Sequence, residues 1–116
     1  MSDSNNDLKY FCLPQQRRDS VYLELQPGDY CGTSWVDGSI CISDDECKRL
    51  RLYRVFTTAL PGFDKFGLNR VSPVDWEIIL FVADELGGES KKAIDEADAW
   101  AEKVFEEQGF FTICGI

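Results

Sequence analysis

Apolar and polar positions follow two periods along this chain. In the first third they alternate: Val21, Leu23 and Leu25 fall on one face of Val21–Leu25, the pattern of a half-buried strand, and Pro27-Gly28-Asp29 turns the chain after it. Leu8–Leu13 is a further short strand candidate, ended by Pro14, with a polar loop from Gln15 to Asp19 that carries Arg17 and Arg18. Ser34–Val36 and Ser39–Ile42 flank Asp37-Gly38, a two-residue hairpin signal. Antiparallel strands joined by tight turns are expected here.

Beyond Ile42 the period becomes helical. Ser43-Asp44-Asp45-Glu46 has the capping-box pattern, and Leu52, Val55, Phe56 and Ala59 then form a stripe with Arg51 and Arg54 opposite. Ser72-Pro73-Val74-Asp75 marks a second start, with serine at the cap, proline at N1 and an acid at N3. In that second helix Trp76, Ile79, Leu80, Ala83 and Leu86 face one way, and Ile78 and Val82 widen the arc, so it is expected to be the most buried. Gly87-Gly88 breaks it. A third helix runs from about Glu89 to Gln108 and stops at Gly109, and Phe110–Ile116 reads as a strand returning to the sheet. The order predicts an α+β domain over residues 8–116. A small antiparallel or mixed sheet, built from N-terminal strands plus a C-terminal strand, packs on three helices; residues 1–7 form a disordered tail.

Composition narrows the function. Apolar residues make up 44% of the 116, with 13% aromatic, enough for one core and against disorder. There is no histidine, which removes Ser-His-Asp and Cys-His catalysis and imidazole metal sites; carboxylate-, Lys- or Tyr-based chemistry remains open. No P-loop, EF-hand or dinucleotide turn is present. Asp44-Asp45-Glu46 can hold a hard cation but is explained by capping, and Glu77 with Asp84, or Glu85 with Glu89, can pair as acid and base without an evident pocket. A non-enzymatic protein with no cofactor and no metal is the expectation. Five cysteines without a C-x-x-C, a polar N-terminus and no apolar run beyond Ile78–Ala83 predict free thiols, a cytoplasmic location and no membrane contact.

The net charge of −9 is uneven. Residues 1–43 carry −3, residues 44–72 carry +2, and residues 73–116 carry −8. On the third helix Asp95, Asp98, Glu102 and Glu106 are spaced to stack along one side, with Ile94, Ala97, Ala101, Val104 and Phe105 as the buried stripe. Like charges at this spacing repel, so the ridge is a candidate contact for a cationic surface, with Asp84 and Glu85 nearby. Its plain alternative is a solvated face. The same charge disfavours nucleic-acid phosphate. Tyr30 and Trp35 in 27–38, and Phe63 and Phe66 in the loop 60–71 between two helices, are candidate aromatic anchors, or caps on the core.

A small, acidic, histidine-free α+β chain with aromatic loops resembles the bacterial immunity proteins of contact-dependent growth inhibition and other polymorphic toxin systems. The resemblance lies in size, charge and style over the whole chain. It implies a tight stoichiometric complex with a cognate, basic, nuclease-type toxin, its acidic groups facing the toxin's active-site region. The other classes open to the sequence are a regulatory or adaptor protein binding another basic protein, and a small carboxylate-based enzyme.

Overall fold

The computed structural model describes residues 8–18 and 21–116; the expected tail 1–7 and Asp19 of the polar loop lie outside them. Four strands, β1 (Tyr22–Pro27), β2 (Ile40–Ser43), β3 (Leu68–Val71) and β4 (Phe111–Cys114), form one sheet in the order β2-β1-β4-β3. All three pairings are antiparallel. The helices α1 (Asp44–Arg49), α2 (Leu52–Ala59), α3 (Pro73–Leu86) and α4 (Gly88–Gln108) supply most of the rest of the core, with Phe11, Leu50 and Leu60 from the connecting segments. This is the expected α+β architecture, with an antiparallel sheet and the C-terminal strand inserted beside β1.

Several signals that act within a few residues are realised as read. Ser72 Oγ accepts from the Asp75 amide at 3.1 Å while Asp75 accepts from the Ser72 amide at 3.0 Å, closing the capping box under Pro73. Gly109 ends α4 in a left-handed conformation, φ +86°, with its amide on the Phe105 carbonyl. Ile94, Ala97, Ala101 and Val104 of α4 are buried. Phe111 of β4 sits among Trp76, Trp100 and Phe105, with ring centroids 5.0–5.7 Å away.

Elsewhere tertiary partners override the local pattern. Leu8–Leu13 is no strand: Glu96 of α4 takes the amides of Lys9, Tyr10 and Phe11 at 2.6–2.9 Å, leaving one bridge, Cys12 to Cys41, before a 3-10 turn at Pro14–Gln16. Asp37-Gly38 does turn, Ser39 N–H donating to the Val36 carbonyl, but Ser34–Val36 pairs with no strand because the Trp35 and Val36 amides donate to Glu24. The expected first helix is two. Arg51 adopts φ +59°, and the break buries both Leu50 and Leu52, which a continuous helix would point about 200° apart. Ser43 caps α1, but Glu46 turns to Arg49 instead of back to the cap. The expected loop 60–71 ends in β3, whose four residues form an edge strand. Finally, α3 is not the most buried helix. Only Trp76, Ile79 and Ala83 are buried, and Ile78 is exposed.

Candidate interaction surface

α3 and α4 form an antiparallel hairpin through Gly87. Trp76 Nε1 donates to Asp98 Oδ1 at 2.7 Å near one end, and Lys91 lies 4.0 Å from Asp84 near the other. The expected α4 ridge is divided by these contacts. Asp98 is half-buried and holds the indole, and Asp95 accepts from Lys91 at 2.6 Å, which holds the lysine's pKa above its usual value. Glu102 and Glu106 are exposed and enter no ion pair among the described residues.

The outer face of α3 carries what the helical pattern assigned elsewhere. Val74, Ile78 and Phe81, spaced i, i+4 and i+7, are all exposed, Val74 and Phe81 to about two thirds of their surface (67% and 64%). Glu77 and Asp84 run beside them on the flank toward α4, and Glu85 extends the stripe; Glu77 and Glu85 have no ion-pair partner among the described residues. No Lys or Arg occurs in α3. Asp84 and Glu85 close α3, and Glu106 and Glu107 close α4, with no basic residue in either last turn. Acids at a helix C-terminus oppose the macrodipole by about 0.3–1 kcal/mol each. The α3–α4 hairpin thus presents an apolar stripe on α3 bordered by acids, of which Asp84 and Asp95 share Lys91 and Glu77, Glu85, Glu102 and Glu106 have no ion-pair partner among the described residues.

The aromatic candidates are not gathered there. Trp35 is half-buried, with φ +62° and the Arg17 guanidinium 3.8 Å above its ring, and Phe63 packs on Phe56 at 5.4 Å. Tyr30 is open in the β1–β2 loop, and Phe66 is exposed ahead of β3. Phe63, Leu68, Arg70 and Asp75 line an open cleft of about 270 Å³ whose one carboxylate, Asp75, is committed to the Ser72 cap.

On the sheet face away from Leu23 and Leu25 the strand alternation carries a signal of its own. Glu24 is fully buried there, with Cys41 and Cys114 directly across from it on β2 and β4. Its carboxylate accepts from the Trp35 amide at 2.8 Å, the Val36 amide at 2.9 Å and Gln26 Nε2 at 3.0 Å. Both cysteines alternate out of phase with their isoleucine neighbours, which placed them on the side of Glu24. Burial, reinforced by Glu24, pushes each thiol up to about 12, and burial with Asp44 does the same to Cys47, so all three are protonated at neutral pH.

The acidic motif after β2 is occupied by neighbours. Asp44 accepts from Tyr53 Oη at 2.6 Å and from Lys48 at 3.1 Å, and these contacts, Tyr53 foremost, hold its carboxyl below the usual range. Arg49 bridges Glu46 and Glu89 and lowers both. Among the described residues no group of three His, Cys, Asp or Glu side chains is placed to hold a metal ion, and no helix is long and apolar enough to cross a membrane.

No protein-family model, curated protein or solved structure matches the chain.

Proposed function

We propose that this is an immunity protein that neutralises a basic, nuclease-type toxin by forming a one-to-one complex through the α3–α4 face. The observation that carries the reading is the outer surface of α3: an exposed Val74–Ile78–Phe81 stripe beside Glu77 and Glu85, which have no ion-pair partner among the described residues. Apolar anchors inside a charged rim supply affinity and orientation together. Opposite potentials raise association rates toward about 10⁸–10⁹ M⁻¹s⁻¹ at low salt, which suits an inhibitor that must capture its target before the target acts. Glu77, Asp84, Glu85, Asp95, Glu102 and Glu106 form the rim. Asp98 acts from beneath it by fixing Trp76.

Capture from lysate of the source cells, followed by purification of the captured protein, tests this directly. A basic protein should bind at one equivalent and lose its nuclease activity on binding. A partner that is acidic, or whose activity is unaffected when it is saturated, would contradict the reading. Reversal of Glu77, Asp84, Glu85 and Glu102 to lysine should slow association by at least about tenfold at low salt and flatten its salt dependence.

A further inference from the structure

Five cysteines lie in the chain without a disulfide, yet two of them face each other as a bonded pair would. Cys12 and Cys41 are opposite residues of an antiparallel bridge and exchange both backbone hydrogen bonds, Cys12 N–H to the Cys41 carbonyl at 2.8 Å and the reverse at 2.7 Å. Opposite residues of such a pair project their side chains to the same side. Their Cα atoms stand about 5.5 Å apart, at the centre of the disulfide range, and their Cβ atoms need to close by only about 1 Å. The other thiols of the sheet are differently placed. Cys114 is separated from Cys41 by the whole of β1, two strand spacings or about 9.6 Å, beyond the reach of a disulfide. Cys47 is buried on α1, and Cys31 is exposed in the β1–β2 loop.

The geometry points to Cys12 and Cys41 as a thiol–disulfide site that reacts with a small-molecule disulfide such as oxidised glutathione and covalently fastens residues 8–18 to the edge of the sheet. Cys12 is the partly open member, and Cys41 is fully buried, so attack begins at Cys12. Its Sγ proton passes to solvent, the thiolate attacks one sulfur of oxidised glutathione, and one glutathione leaves as its thiol. Cys41 Sγ, deprotonated in turn, attacks Cys12 Sγ and expels the second glutathione. Two protein thiols are oxidised, one glutathione disulfide is reduced to two thiols, and no atom is left over. Burial raises both thiols, so closure is slow and quickens with pH.

The consequence is local. Residues 8–18 are otherwise held to the sheet edge by this one bridge, to α4 by Glu96 and to the core by the buried Phe11, and they carry Arg17, which covers Trp35. Closing the bond adds a covalent tie between this segment and the β2 edge.

The test uses the full chain with Cys31→Ser, which removes the exposed thiol and with it exchange between molecules. Incubation with millimolar oxidised glutathione at mildly alkaline pH should lower the titratable thiols from four to two and remove two hydrogens from the mass. No glutathione should be retained, and the melting temperature should rise by roughly 10 °C. Digestion with trypsin and an Asp-directed protease, which separates Cys41 from Cys47, should recover Cys12 linked to Cys41. Adding Cys12→Ser should leave all remaining thiols free. Retention of four thiols after a day, a bond joining any other pair, or thiol loss that persists in Cys12→Ser would overturn the assignment; the linkage map decides even if that last variant is destabilised.

Discussion

α2 and α3 both bury one stripe in the same core, but their solvent sides are opposites. The outer side of α2 is Arg54, Thr57 and Thr58, the composition of a helix that has finished its packing. The outer side of α3 is Val74, Ile78 and Phe81 with Glu77, Asp84 and Glu85, both more apolar and more charged than solvation requires. Neither property helps the chain to fold. Exposed aliphatic and aromatic groups leave apolar area in water, and clustered acids repel. The contrast therefore separates residues that build the molecule from residues available to a partner.

Ile78 and Ile79, adjacent in α3, give the strongest way to break that separation. Ile79→Ala opens a cavity in the core and should cost about 2–5 kcal/mol, seen as a shift of the urea midpoint. Ile78→Ala should cost no more than about 1 kcal/mol. Equal losses would mean that the outer stripe is structural and would remove the main support for an interface on α3.

A second contrast lies within the expected acidic ridge. Asp98→Ala leaves the Trp76 indole without its acceptor and should destabilise by about 1–3 kcal/mol, whereas Glu102→Ala should change stability by less than about 0.5 kcal/mol. Thermal melts of the two variants sort structural from available acids. A neutral Asp98→Ala would return Asp98 to the free rim.

The smallest effect concerns Asp44, which belongs to the folded framework at the start of α1. Its native pKa is lowered, so its contribution is present above the unfolded carboxylate value of about 3.9 and is lost as pH falls through the native one. Tyr53→Phe should thus cost about 1 kcal/mol at pH 7, and the difference from the parent should shrink below about pH 4. A difference that stays constant down to pH 2.5 would assign the cost to something other than the Asp44 carboxylate.

How much of this was legible in advance follows from where each signal acts. The Ser72 capping box, the Gly109 stop and the stripe of α4 depend on neighbours within one or two turns, and they are realised. The break at Arg51 is decided by the burial of Leu50 and by Ser90 Oγ donating to the Leu50 carbonyl, forty residues away in sequence. The lost strand at Leu8–Leu13 is decided by Glu96, and the lost hairpin strand by Glu24. β3 is too short for its alternation to stand out beside Phe63 and Phe66. For the candidate surface, period alone does not say which apolar side of a helix the core takes. Ile78 extends the apolar arc of Trp76, Ile79 and Ala83 by residue type, but by angle 74, 78 and 81 form a stripe of their own opposite 76, 79 and 83.

In the proposed function a partner sits on the α3–α4 face. Backbone amide spectra of the isotopically labelled protein, recorded as purified partner is added, locate the contact residue by residue. The largest changes should fall on Val74–Glu85 and on the exposed α4 positions around Asp95 and Glu102. Changes confined to the β3 edge near Phe66 and Leu68, or to the 28–38 loop around Tyr30, with α3 undisturbed, would contradict it.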